Sequence, residues 1–328
     1  MKRTRAAAHR AIGGFWRVGI FGLAGALGAP CAVAGMVEAL AAYSQGDYVT
    51  AVQELRPFAY NGNPEAQSKL GSILERGQGV PRDMAEALKL YRQAAAKDHP
   101  QAQTSLGLLY ERGDGVAQDL SEAARWYVRA ADQGNAAAQN YLGILYEDGA
   151  GVPQDIKEAV RWYRKSAEQG YAAGQINLGV VYMNGSGLPQ DKKEALQWYQ
   201  RAADQGDANG QYNLAMAYSR GYGVAQDHQQ AVKWYRLAAE TGHASAQNNL
   251  GTAYTTGRGA VANRVVAYAL FSLSASNDPS RENKAPANRN SLAASMSAKD
   301  IEAAQELARE FAKPGNLLKA LDATLSRS

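Results

Sequence analysis

The stretch AAAQNYLGILYEDGAGVPQDIKEAVRWYRKSAEQGY, residues 136–171, recurs in variant form six times along this 328-residue chain, and its reading decides the fold. Within it Ala138, Leu142 and Tyr146 stand at i, i+4 and i+8, with Gln139 and Gly143 beside them. That spacing predicts one stripe of a helix, here called helix A. The following Asp148-Gly-Ala-Gly-Val-Pro-Gln154 stops it, because glycine accepts positive φ and proline cannot continue a helix. Asp155 then opens helix B, with Glu158 three residues on. This is a capping-box spacing, in which the aspartate accepts an orphan N–H and the glutamate reaches back to the cap. Helix B carries Ala159, Trp162, Tyr163, Ser166 and Ala167 as a broad packing face, and Gly170 stands where a left-handed terminal residue is needed.

Outward from this unit the period is 36 residues. Gly71, Gly107, Gly143, Gly179 and Gly251 keep it, with Ala215 in the remaining slot. So do the glycine pairs from Gly77/Gly79 to Gly257/Gly259, and Asp83, Asp119, Asp155, Asp191 and Asp227. The capping spacing returns as Asp83/Glu86, Asp119/Glu122, Asp191/Glu194 and Asp227/Gln230, while Asp98 departs from the helix-closing glycine. A repeat of this length cannot bury its apolar face alone and stacks on its neighbours. The prediction is an all-α, right-handed α-solenoid of antiparallel helix pairs with thirteen or more helices.

Read together, these residues resemble the Sel-one-like repeat family, longer-looped relatives of tetratricopeptide repeats. Residues 136–170 match the family pattern nearly throughout, 100–135, 172–207 and 208–243 match well, and 64–99 and 244–278 are the divergent ends. Residues 35–63 read as a degenerate opening hairpin that covers one end of the stack. Residues 279–328 resemble the C-terminal capping helices of bacterial members: one helix from Asp278 to about Ala294, one over Ile301 to Phe311 capped by Ser297 with Asp300, and a weakly amphipathic tail from Leu317 expected to fray. The resemblance implies a non-catalytic scaffold for a protein or peptide partner in the bacterial envelope.

The N-terminus carries an address. Lys2, Arg3, Arg5, Arg10 and Arg17 precede or flank a short apolar run, Val18 to Leu27, and Ala32-Val-Ala34 supplies small residues at a cleavage position. Residues 1–34 therefore read as a cleavable signal peptide, placing the mature chain in the periplasm or outside the cell. The apolar run is too short to span a bilayer. Removing those five cations from a formal net charge of +4 leaves −1, which argues against nucleic acid as a partner. The lone cysteine, Cys31, lies inside the leader, and Pro30 before it does not fit lipoprotein processing.

Repetition places like residues in ladders, whereas catalysis needs unlike residues that converge. His99, His228 and His243 have no histidine at i+4 and adjoin no cysteine, and read as solvated residues at turns and helix starts. Gly-x-Gly loops without a preceding strand or a P-loop lysine are turns, the repeated aspartates are caps, and Trp126, Trp162, Trp198 and Trp234 fall at core spacing rather than forming a sugar ladder. No enzyme, cofactor or metal is expected. The cysteines of family members linked with penicillin binding or hydrolysis are missing here, so that activity is not carried over. One ladder invites a binding role: Asn177, Asn213 and Asn249, with Tyr141 in the equivalent slot of the third unit and Tyr212 beside it. The resemblance to tetratricopeptide arrays implies that helix A lines the concave groove, where such amides hold a peptide backbone or carboxylate. The competing readings are a hydrogen bond to the next unit, and recognition of a cell-wall glycan if the tyrosines stand open.

Overall fold

The computed structural model describes residues 31–326; the expected leader lies outside the described residues except for 31–34, which form the first turn of α1. Among the described residues there are seventeen helices and no strand. α1 (Cys31–Gln45) and α2 (Tyr48–Tyr60) form an opening hairpin. Six A/B pairs follow: α3 (Pro64–Arg76) with α4 (Met84–Ala96), α5 (Pro100–Arg112) with α6 (Leu120–Asp132), α7 (Ala136–Asp148) with α8 (Ile156–Glu168), α9 (Ala172–Asn184) with α10 (Lys192–Asp204), α11 (Ala208–Arg220) with α12 (His228–Glu240), and α13 (Ala244–Thr256) with α14 (Arg264–Asn277). The chain ends in α15 (Ala285–Ala293), α16 (Ala298–Phe311) and α17 (Leu317–Leu325). From α1 to α13 each helix packs chiefly on the one before and the one after it, and α14 packs on α13, α15 and α16, so the core runs along the axis as the solenoid expectation requires.

The caps explain why every unit breaks at the same places. Asp83, Asp119 and Asp155 accept the backbone N–H of Glu86, Glu122 and Glu158 at 3.0, 2.9 and 3.1 Å. The second half of the expected capping box does not form. The Asp83, Asp119 and Asp155 N–H groups donate instead to the carbonyls of Leu74, Tyr110 and Tyr146, closing the A-to-B turn. Their glutamates turn outward to Lys89, Arg125 and Arg161 one helical turn on. At the other end of helix B, Gly134, Gly170, Gly206 and Gly242 take φ of 82° to 90°, and Asp98, in the equivalent place, is the one non-glycine with positive φ among the described residues.

Close approach of A and B depends on a missing side chain. A Cβ on Gly107 would stand 2.4 Å from Cε1 of Tyr127, and one on Gly143 2.6 Å from that of Tyr163. The tryptophans pack on the core to different depths, Trp126 and Trp234 half-buried at its edge. Trp162 and Trp198 are buried, and the side chains of Arg161, Lys165 and Arg201 lie over their rings.

Two expectations at the C-terminus need correction. Residues 278–284 form a loop, and the helix starts at Ala285. Asn283 holds that loop: its Nδ2 donates to the carbonyls of Ser274 and Asp278 at 2.9 and 2.7 Å, and its Oδ1 caps the new helix at Ala285 N. The tail does not fray. Leu317 and Leu321, one turn apart, are buried against the final core, the Leu318 N–H donates to Glu240 at 2.7 Å, and Arg236 pairs with Asp322. α17 thus docks back on α12 and covers the end of the stack.

Candidate partner-binding face

The most regular polar feature was not legible beforehand. Gln67, Gln103, Gln139, Gln175, Gln211 and Gln247, one per unit on helix A, are all buried. Five of them donate Nε2 to the last turn of the preceding helix B, as Gln139 does to the Ala131 carbonyl at 3.1 Å. The Oε1 atoms of Gln103, Gln139, Gln175 and Gln247 accept from Gln133, Gln169, Gln205 and Asn277 at the end of their own helix B, at 2.7 to 3.0 Å. Each such glutamine joins three helices and leaves few buried polar atoms unpaired. In the first and fifth units Lys97 and Thr241 stand where the others have Gln or Asn, and the Oε1 atoms of Gln67 and Gln211 are left without a partner.

The asparagine row is less uniform than its period. Asn177 donates to Asn140 of the preceding unit at 2.8 Å, the bond to a neighbour that the spacing allowed. Asn249 donates to the Tyr235 hydroxyl at 3.3 Å and approaches the Met216 sulfur at 3.4 Å. Asn213 is half-buried and makes no side-chain hydrogen bond among the described residues. Tyr141 is buried and stacks on Tyr127 with centroids 5.3 Å apart. Tyr212 stacks on His243 at 4.5 Å. The ladder is therefore largely internal in units three and four, and its sixth-unit member, Asn249, lines an open cavity.

That cavity, of about 220 Å³, lies between α11, α12 and α13 and is lined by Ser219, Arg220, His228, Tyr235, Asn249 and Arg258 among others. A second, of about 530 Å³, lies among α14, α16 and α17 with a mainly apolar lining. Among the described residues no group of three or more His, Cys, Asp or Glu is placed to hold a metal ion. No described helix is long and apolar enough to cross a membrane.

The histidines stand at helix starts, as expected, but two are not solvated. His99 caps α5: its Nδ1 accepts from Ala102 N at 3.3 Å, so Nε2 carries the proton and meets Glu65 at 2.8 Å. This hydrogen bond is the main cause that holds the Glu65 carboxyl below its ordinary range. His243 caps α13 through Nδ1, at 3.2 Å from Ala246 N, and burial pushes its pKa down. The neutral imidazole is thus favoured in the fold, while the unfolded chain takes up a proton near pH 6.5. Its stabilising contribution is complete above that value and is lost progressively as pH falls toward the lowered folded pKa. Glu65 acts in a lower window, its contribution being lost only as pH falls through its own depressed folded pKa. His243→Asn, which keeps a cap like that of Asn135, is expected to lose much of the stability difference between about pH 7.5 and pH 5.5, measured as the shift in urea midpoint. An unchanged shift would show that another group titrates there.

The repeat geometry and the sequence agree on kinship. The chain matches the Sel1 repeat over residues 64–99, 100–135, 136–171, 172–207, 208–243 and 244–279. The chain belongs to the Sel1 repeat family. Its fold is similar to that of a Sel1 repeat protein from Oxalobacter formigenes, with 31% identity, TM-score 0.66, and coverage of 73% of this chain and 96% of that one. A protective antigen of uropathogenic Escherichia coli strains that displays an SLR fold is 27% identical over 90% of this chain and 87% of its own, with TM-score 0.45. No curated protein matches the chain. Sel1 repeat proteins are generally scaffolds for protein interaction and typically non-enzymatic. In this Sel1 repeat chain the two histidines described above are caps within the stack, which accounts for their partial burial.

Proposed function

We propose that this protein is an exported, non-catalytic scaffold of the bacterial envelope that binds a protein or peptide partner along the helix A face. The observation that carries the reading is the mixed amide and cationic lining where that face opens, Asn249 with Arg220 and Arg258, while Asn213 in the same helix A row keeps its amide uncommitted within the fold. Amides of this kind satisfy the alternating donors and acceptors of an extended peptide backbone. Glycan recognition would favour an open aromatic platform, whereas Tyr141 is buried and Tyr212 is covered on one face by His243. Export rests on the leader-like residues 1–34.

Cross-linking in cells with a tag after Ser328, followed by mass spectrometry, tests this. A single enriched envelope protein is the expected result. Peptidoglycan fragments without a protein would replace the reading with glycan binding. Asn213→Ala combined with Asn249→Ala is expected to weaken partner affinity by about 1–3 kcal/mol, and unchanged affinity would remove the helix A face from the proposal.

A further inference from the structure

The first three units share a bond that the later ones lack. The helix B tyrosine donates its hydroxyl to a helix A glutamate: Tyr91 to Glu75 at 2.7 Å, Tyr127 to Glu111 at 2.5 Å, and Tyr163 to Glu147 at 2.5 Å. In the sixth unit both partners are gone together, replaced by Phe271 and Thr255. Loss of both is nearly neutral, because no polar atom is left behind. The fourth and fifth units differ: Met183 and Ser219 replace the glutamate while Tyr199 and Tyr235 remain.

In the fifth unit the vacated space is the cavity of about 220 Å³. Ala215 supplies the Cβ that the other units omit opposite this ring. The Tyr235 hydroxyl stands 3.0 Å from the Met216 sulfur, a weak acceptor, and accepts from Asn249. Ser219 lies on the same wall, and Arg220, Arg258 and His228 line the rest. Arg220 and Arg258 are exposed at the mouth, no acidic residue lines the cavity, and neither arginine is in an ion pair among the described residues. Charge, donors and shape here match one group. The volume is below the roughly 300 Å³ at which small-molecule pockets begin, so it suits a side chain or chain end rather than a whole cofactor.

We propose that this cavity binds a carboxylate of a partner peptide, which takes the place that Glu75, Glu111 and Glu147 fill in the first three units. The inference rests on the protein-binding reading above and names the chemistry its partner brings. The Tyr235 hydroxyl and the Asn249 amide donate to the bound carboxylate, and Arg220 and Arg258 supply its counter-charge. The fourth unit is not a second site: Met183 places a side chain in the vacated position, and Asn184 stands where Arg220 does.

The test uses the full chain and three capped or uncapped pentapeptides: acetyl-Gly-Ser-Glu-Gly-Ser-amide, its glutamine analogue, and the glutamine analogue with a free C-terminus. Side-chain amide and arginine resonances are followed by NMR, with Asn177, bonded internally to Asn140, as reference. Shifts of Asn249, Arg220 and Arg258 with the glutamate peptide, and none with the neutral amide, are expected. A response to the free C-terminus as well identifies the chain end as a second source of the same group. Arg220→Gln with Arg258→Gln is expected to weaken binding at least about tenfold. Ser219→Glu, which restores an internal carboxylate, is expected to abolish it with the reference resonance unmoved. Equal shifts from glutamate and glutamine peptides, full binding by Ser219→Glu, or the same shifts from inorganic phosphate alone would overturn the carboxylate site. Those outcomes leave the scaffold reading standing, since it falls only if cross-linking captures no protein.

Discussion

Replacing Gly223 with alanine is expected to lower the stability of the array by about 2–5 kcal/mol, whereas the same change at Gly115 should cost about 1–2 kcal/mol. Both glycines occupy the second position of the Gly-x-Gly turn, with φ of 73° and 72°. The left-handed strain of an added Cβ is therefore the same at both. The surroundings are not. A Cβ on Gly223 would stand 2.1 Å from the Lys192 carbonyl oxygen at the start of α10, while one on Gly115 meets nothing nearer than Cε of Met84 at 3.5 Å. A flexible methionine moves aside, and the first carbonyl of a capped helix does not. Because the Gly223 turn seals the fifth unit against the fourth, its loss weakens a nearest-neighbour interface, and the array should unfold in two stages. Urea titration followed by circular dichroism measures both effects. Equal losses at the two sites would show that the turn does not depend on its contact with the preceding unit.

The contrast between these glycines shows where sequence reading succeeds and where it stops. The helix ends were legible because each rests on local chemistry: Asp155 accepting from the start of α8, Gly149 in the left-handed region after α7, Gly143 making room for Tyr163. What was not legible depends on how units stack. The Glu158 side chain was expected at the Asp155 N–H, but that N–H is taken by Tyr146 O from the preceding helix. His243 was expected in solvent, yet the ring of Tyr212, some thirty residues earlier, covers it. The Leu317 tail has a short, mixed pattern that fixes no partner until α12 supplies Glu240 and Arg236.

The asparagine row makes the same point about function. A strict period announces a structural part, as the glutamine ladder proves to be, since five of its six copies donate to the same place on the preceding helix. A binding residue is recognised where the copies diverge. Asn177, Asn213 and Asn249 look equivalent in sequence, but only in the fifth unit are the glycine, the glutamate and the helix-closing glutamine all replaced, by Ala215, Ser219 and Thr241. The signal was present in the sequence as three departures in one unit. It gained meaning only when the structure placed Ser219 and Tyr235 on the wall of one cavity.

Tyr127→Ala is expected to cost about 3–5 kcal/mol, and Tyr127→Phe about 1.5–3 kcal/mol, which separates the ring from its hydroxyl. The ring is fully buried, closes against Gly107 and stacks on Tyr141, so its removal opens a cavity that a capped solenoid cannot collapse from one side. The hydroxyl donates to the Glu111 carboxylate, and a bond to a charged acceptor is worth more than a neutral one. Burial, followed by the Glu111 charge, pushes the Tyr127 pKa well up, so the hydroxyl remains a donor throughout the range in which the fold survives. Tyr235→Phe provides the comparison. Its hydroxyl meets a thioether rather than a carboxylate, and its loss is expected to cost less than about 1 kcal/mol in the isolated protein. If the two phenylalanine variants lose equal stability, the Tyr–Glu bond is not the contact that distinguishes the first three units. If they differ as expected, Tyr235 keeps a hydroxyl held only by a thioether and a 3.3 Å bond from Asn249, beside a cavity that no acidic residue lines.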